Sequence, residues 1–480
     1  MNLFLKKPIK QIIASSEGGT HKLKRTLGPV SLISLGIGAI IGAGLFSLTG
    51  IAAAENAGPA VVLSFVVAAF VCTFAGMCYS ELAAMIPVAG SAYTYTYATM
   101  GEFVAWIIGW DLVLEYAVAA SVVAVSWSRY VGSFLKDFGI HIPAQLAACP
   151  FDVMTLPDGN QIHGIVNLPA ILIIVLVSTL LMLGIKESTR VNDIIVLVKL
   201  VVVFTFIAIG IRYINPNNYV PFIPPNTGTF GEFGFSGIMR AAGVIFFAYI
   251  GFDTVSTAAQ ESRNPQRDVP IGIIGSLVIC TVLYLAFSFV LTGMVNYKAM
   301  RGDAAPVATA INITPYPWLQ MLVKLGIIGG FTSVILVLLL GQSRVFYSMS
   351  RDGLLPSLFS QVHPVWKTPW LSNIVFMFFV SFFAGLFPIS KLGHMTSIGT
   401  LLAFIIVCAG VMILRQTDPH HPRPYKVPFV PLFPFLGILV CLSMMSSLDH
   451  DTWWRLIIWL IIGLVIYFTY SRFQSKLRQK

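Results

Sequence analysis

Ionisable side chains stand inside long apolar stretches of this chain: Asp111 and Glu115 in GWDLVLEY, Lys199 in VNDIIVLVKLVVVF, and Asp253 at the end of FFAYIGFD. An ionised group at the middle of a bilayer costs roughly 2.5–3.5 kcal/mol on an insertion scale unless it is paired or hydrated, so such residues point to a path for ions or polar substrate. Asp111 and Glu115 are four apart and share one helix face. Lys199 lies nine residues beyond Arg190, about 14 Å along a helix, which is deep for a side chain that merely snorkels. A buried amine there is able to gain and lose a proton as its surroundings are alternately wetted and dried. Asp253 reads as a gate or as a helix N-cap, Asp being a favoured capping residue.

Two apolar segments broken by glycine stand at matching places in the two halves of the chain: 31–50, containing GIGAIIGAGLF, and 235–256, containing GVIFFAYIGFD. Each is long enough to cross a bilayer and is interrupted near its middle, the pattern of discontinuous helices that hold a substrate at mid-membrane. Backbone groups freed in hydrocarbon must find partners in protein, substrate or ion. In the first break, around Gly36, Gly38, Gly42 and Gly44, amides at the positive end of a half-helix suit a carboxylate. In the second, carbonyls near Phe247, Ala248 and Ile250 suit an ammonium. Together they read the two ends of a zwitterion. Close helix packing through small residues is the plainer reading of the same spacings.

The elements that position these groups follow from composition. Of 480 residues, 56% are hydrophobic and only 10% charged, with a mean hydropathy of +0.83, more apolar surface than one water-soluble core can hide. An all-α polytopic membrane protein is expected, with about twelve spans near 30–56, 60–86, 101–128, 166–185, 191–213, 236–260, 270–295, 317–349, 370–388, 393–414, 429–447 and 452–471. Because the breaks open spans one and six, the first ten read as five plus five. Five is odd, so the second five cross in the opposite sense and the repeat is inverted. The expected layout is a tail over 1–27, repeat one over 28–213, repeat two over 236–414, two extra helices over 415–472 and a tail over 473–480.

An even span count puts both ends on one side. That side gathers Lys6, Lys7, Lys10, Lys22, Lys24, Arg25, Lys186, Arg190, Arg263, Arg267, Arg344, Arg351, Lys367, Arg415, Arg423, Lys426, Arg472, Lys476, Arg478 and Lys480, far more than the other, so both termini are expected in the cytoplasm. The net charge of +10 is thus matched to lipid headgroups and not to nucleic acid. The loop over 129–164 reads as turn-rich, without chemistry of its own. Glu81, Glu261, Arg263, Arg267 and Arg351 read as surface ion-pair residues of small individual worth. No cysteine or histidine spacing suggests a metal or redox centre. No channel filter repeat and no clustered nucleophile, base or metal ligands are visible, which argues against a channel or a membrane enzyme.

GIGAIIGAGLF, YSELAAMIPVAGSAYTY (79–95), FFAYIGFD (246–253), ESRNPQRDVPIGI (261–273) and SRDGLLP (350–356) resemble, in order and spacing, the amino acid–polyamine–organocation superfamily, and within it the bacterial branch of the cationic amino acid transporters. The resemblance covers the chain from about Leu27 to the end of span twelve. It implies alternating access around a site between spans one, three, six and eight. It further implies that the Ile40 carbonyl and the Ala43 and Gly44 amides meet the substrate's backbone end, that Phe247, Ala248 and Ile250 offer carbonyls to its amino group, and that Phe247 is an aromatic lid. Lys199 matches the lysine of proton-coupled relatives.

Within that frame, Leu338, Leu339 and Leu340 in span eight form a bulky apolar wall, against which an unpaired guanidinium or ammonium tip would cost several kcal/mol. The reading is a proton-coupled permease of the cell membrane for small or medium neutral L-amino acids such as alanine, with Glu115 shaping the polarity of the site. Its partners are the amino acid, protons and membrane lipid; it needs no cofactor, and a monomer suffices. Cationic amino acid uptake or exchange, with Glu115 receiving the charge, and a transporter-like sensor are the alternatives.

Overall fold

Inside hydrocarbon each N–H and C=O must be paired within the protein, and helices answer that demand segment by segment. The computed structural model describes residues 3–17, 27–88, 90–155, 161–184, 189–303, 305–366 and 368–479. Lys22, Lys24, Arg25, Lys186, Lys367 and Lys480, counted above among the basic residues of one side, lie outside them. Among the described residues the chain is helical but for one antiparallel strand pair, Val153–Thr155 with Gln161–His163. This pair falls in the loop expected to be turn-rich.

Among the described residues eight helices are long and apolar enough to cross a membrane, joined by four shorter apolar ones, Pro29–Ile40, Leu168–Met182, Trp370–Leu386 and Leu432–Ser447. Pro29–Ile40 is the first half of span one, and Gly44–Met85 carries its second half together with span two. The pieces therefore make twelve spans in chain order, the later ones being Glu102–Lys136, Leu168–Met182, Thr189–Gly210, Gly234–Thr257, Pro265–Met294, Pro317–Arg351, Trp370–Leu386, Ile389–Thr417, Leu432–Ser447 and His450–Ile466. Span two packs on span seven, three on eight and four on nine. Each is the counterpart of the other in the two sets of five, the contact that a pseudo-two-fold axis between repeats produces.

Both termini sit on one face. The Glu102 amide donates to the Leu5 carbonyl at 2.9 Å and the Lys476 amide to that of Asp352 at 3.0 Å, while Lys7 pairs with the Asp352 carboxylate at 2.8 Å and Arg478 with that of Glu102 at 2.6 Å. Glu81, expected as a surface ion-pair residue, is instead buried. It accepts from Arg415 at 2.7 and 2.8 Å and from the Val427 amide at 2.7 Å, with Arg423 at 3.3 Å. Buried pairing of this kind makes loss of either partner expensive, about 3–5 kcal/mol.

The two breaks interlock. Span one leaves helical geometry at Ile41 and resumes with a π-turn over Gly44–Leu48. Span six tightens to a 3-10 turn over Phe246–Tyr249 and then unwinds through Gly251, whose φ is +121°. A Cβ on Gly44 would strike the backbone of Ala248, and one on Gly251 would sit 2.9 Å from the Ala39 carbonyl carbon. Each break thus docks backbone to backbone on the other, which only glycine permits. Gly251→Ala is expected to lower stability by about 1–3 kcal/mol, whereas Gly329→Ala, at a position with open space around it, leaves it nearly unchanged. Thermal unfolding of the detergent-purified proteins decides the matter; equal midpoints for the two would contradict the interlock.

Candidate functional site

Between the interlocked breaks lies a cavity lined from span one by Ala39, Ile40, Gly42, Ala43 and Gly44 and from span six by Phe247 and Ile250. Span three adds Ala119 and Val123, and span eight adds Val334 and Leu338. Of the residues that the sequence assigned to the substrate, Ile40, Ala43, Gly44, Phe247 and Ile250 line this one space, while Ala248 and Glu115 do not. Leu339 is buried elsewhere in span eight and Leu340 is half-buried. The cavity measures about 10 Å³, close to the room one water needs. Any solute larger than water is admitted only when the walls move apart.

The freed backbone groups are held by side chains the sequence reading did not single out. Tyr284 of span seven points its hydroxyl at both the Ile40 and the Ala248 carbonyl, 2.9 Å from each, and so ties the two breaks together. Tyr130 of span three donates to the Phe46 carbonyl at 2.5 Å, and Thr49 to that of Gly44 at 3.0 Å. The available signal was a lone phenol in an otherwise apolar run, as in CTVLYLAF, since a buried tyrosine hydroxyl usually finds a partner.

Lys199 is 1% exposed, and its ammonium donates to the Gly38 carbonyl at 2.6 Å. Its stem packs on Gly330 of span eight. The amine of span five therefore grips the last turn of the half-helix that ends at the first break.

The buried carboxylates gather on the other side of the second break. Asp253 stands at the N-cap position of Thr254–Thr257, yet its side chain makes no cap. It accepts instead from the Tyr116 hydroxyl, and from Ser91 at 3.4 Å. Glu115 lies on a π-turn, Leu114–Val118, within electrostatic reach of Asp253 and Asp111. Neither Asp111 nor Glu115 has a hydrogen-bond partner among the described residues, and the hydroxyl of Tyr79 is likewise buried without one. No group of carboxylates, histidines or cysteines among the described residues has the geometry of a metal site.

A family model described as amino acid permease matches residues 27–467. The branched-chain amino acid permease BcaP of Bacillus subtilis is 46% identical over 478 residues, spanning 100% of this chain and 99% of its own length. The methylthioribose transporter of the same organism is 43% identical over 483 residues, with both chains fully covered. A vacuolar cationic amino acid transporter of Arabidopsis thaliana, number 4, is 36% identical over 428 residues, covering 87% of this chain and 68% of its own.

Tyr284→Phe removes the hydroxyl that joins the breaks while keeping the ring. The expected effect is a rise of roughly 3–10-fold in the KM for transport, the worth of about one hydrogen bond, with little change in the folded yield. An unchanged KM would show that the bridge does not shape the seat.

Proposed function

The chain belongs to the amino acid permease family, and from that premise we propose that it takes up neutral L-amino acids with aliphatic side chains by proton-coupled alternating access. The observation that carries the substrate class is the cavity wall. Ala119, Val123, Val334 and Leu338 are all apolar, and no ionisable residue is among those lining the cavity. A cationic tip placed there would be desolvated without a counter-charge, at a cost of several kcal/mol. The backbone end of the substrate goes to the breaks: carboxylate to the Ala43 and Gly44 amides, ammonium to the carbonyls of Ile40, Phe247 and Ile250, with that of Ala248, which stands outside the cavity, reached only once Tyr284 gives it up. Phe247 covers it. The relative named as a branched-chain permease supports extending the range from alanine to valine, leucine and isoleucine.

Lys199 is the coupling group in this reading. Its bond to the Gly38 carbonyl holds the first half-helix to span five while the amine is charged. Loss of the proton weakens that tie from a charge-assisted to a neutral hydrogen bond, so proton release and movement of the half-helix favour each other. Asp253, tied to span three through Tyr116, serves as an inner gate. Glu115 acts on the polarity of the site from the adjoining buried cluster. Both termini face the cytoplasm of the cell membrane, and one chain is the working unit.

Two measurements in proteoliposomes test the proposal. In counterflow with labelled alanine, excess valine and leucine are expected to abolish uptake, while arginine and lysine leave it within about twofold, a margin that follows from the desolvation cost of a charged tip; methylthioribose, which has neither carboxylate nor ammonium for the breaks to read, is expected to compete no better. Strong inhibition by arginine with weak inhibition by valine would overturn the substrate class. For coupling, an inward proton gradient is expected to stimulate uptake with or without sodium. Lys199→Ala is expected to lose that stimulation while retaining binding of the amino acid. A full pH response in that variant would remove Lys199 from the mechanism.

A further inference from the structure

A second, larger cavity opens on the face opposite the termini, at the far ends of the same two broken spans. It measures about 310 Å³, at the lower end of the range for small-ligand sites. Its wall includes Glu55 and Asn56, which end the second half of span one, and Arg240 near the start of span six. Glu55 is eleven residues beyond Gly44, roughly 16 Å along a helix, so this cavity stands directly outside the central seat and not within it.

The charges in it are unevenly used. Asp449 is committed: it pairs with Arg240 and has His394 at 3.4 Å. Arg240 also donates to the Phe230 carbonyl at 3.0 Å. By contrast Arg301 and Glu55 face the cavity within electrostatic reach of each other, yet neither forms an ion pair among the described residues. Glu232 accepts from the hydroxyl of Thr227 at 2.7 Å and lies within electrostatic reach of Arg240. The wall therefore presents the Arg301 guanidinium opposite the Glu55 carboxylate, neither in an ion pair among the described residues, with open space between them and Glu232 on the rim.

The backbone around this cavity is strained. Phe233 has φ +59° and ψ −179°, a region that is almost exclusively glycine's and strained for any other residue. It is held there by its amide, which donates to the Asn56 carbonyl at 2.7 Å, and by the Asn56 side chain, which donates to the Gly231 carbonyl at 2.9 Å. Such strain persists where surrounding contacts over-determine it, and it gathers at ligand clamps. Here it fixes Glu232 and Arg240 on one rim against Glu55 on the other.

We propose that this cavity is an entry subsite for a free α-amino acid, binding the carboxylate at Arg301 and the ammonium at Glu55 and Glu232 before the substrate moves inward to the breaks. The inference rests on the amino acid reading of the central seat, because the zwitterion is the ligand whose two charges match the two poles. A plain anion would meet the carboxylates, and a plain cation would meet Arg301. The side chain of the amino acid is left toward Phe233 and the open mouth, so this subsite reads the headgroup and the inner one reads the side chain.

Equilibrium binding of labelled valine to the detergent-purified chain is the test. The wild type is expected to bind about two valines per chain and Arg301→Ala about one, the outer affinity falling at least tenfold on loss of a charge-assisted contact. Glu55→Gln repeats the loss from the opposite pole. Gly42→Val, whose added side chain would lie against Val334 across the inner seat, keeps a single site, and isobutylamine, which lacks the carboxylate, fails to displace valine from it. Wild-type saturation at one valine per chain, with unchanged binding in Arg301→Ala, would overturn the subsite while leaving the central reading intact. Absence of any amino acid binding to the wild type would overturn both.

Discussion

The molecule is organised around one constraint: a helix broken inside a membrane must return every backbone group to a partner. Two breaks meet at the same depth, and the protein answers largely by setting each against the other. Gly44 lies on the backbone of Ala248 and Gly251 on that of Ala39, so the unwound segments screen one another from lipid. Phenols complete the pairing, Tyr284 bridging the Ile40 and Ala248 carbonyls and Tyr130 reaching that of Phe46. Such a junction has no slack. Any rearrangement that opens the central cavity must exchange these bonds for others, and a substrate with a carboxylate and an ammonium supplies both kinds of partner at once.

The same constraint explains where charge is placed. Lys199 is not aimed into the cavity; it grips a carbonyl of the turn that ends at the first break. Asp253 follows the second break and is tied to span three by the Tyr116 hydroxyl. Each discontinuous span thus has an ionisable group fastened next to its weakest point, from a neighbouring span in one case and to a neighbouring span in the other. A change in either bond bears on a half-helix and not merely on a side chain, which is how a local electrostatic event moves a large element.

Much of this architecture was legible because it rests on one-dimensional signals. Span positions follow from apolar length, the inverted repeat from the odd count between the breaks, and the central residues Ile40, Ala43, Gly44, Phe247 and Ile250 from the glycine pattern together with the family resemblance. What was not legible depends on contacts between distant segments. Tyr284 lies far from both breaks in sequence, and nothing in its own helix says which carbonyls it will reach. Glu81 looked like a loop-end charge, but its burial depends on Arg415, Arg423 and the turn at Val427 folding over it. Asp253 has the residue type and position of an N-cap, and the approach of Tyr116, with Ser91 beside it, diverts its carboxylate. In each case local preference was overridden by a partner that sequence distance conceals.

Cargo and scaffold are separable for the same reason. The junction between the breaks is made of main chain and glycine. The side-chain pocket is a handful of residues, Ala119 and Val123 on one wall and Val334 and Leu338 on the other. Exchanging one of these for a polar or charged residue changes what is tolerated by several kcal/mol without disturbing the junction beside it. Relatives at 46% and 43% identity bear names with different cargoes, as expected when overall similarity records the scaffold. Under the proposed function specificity is then an argument about four side chains, and here all four are apolar.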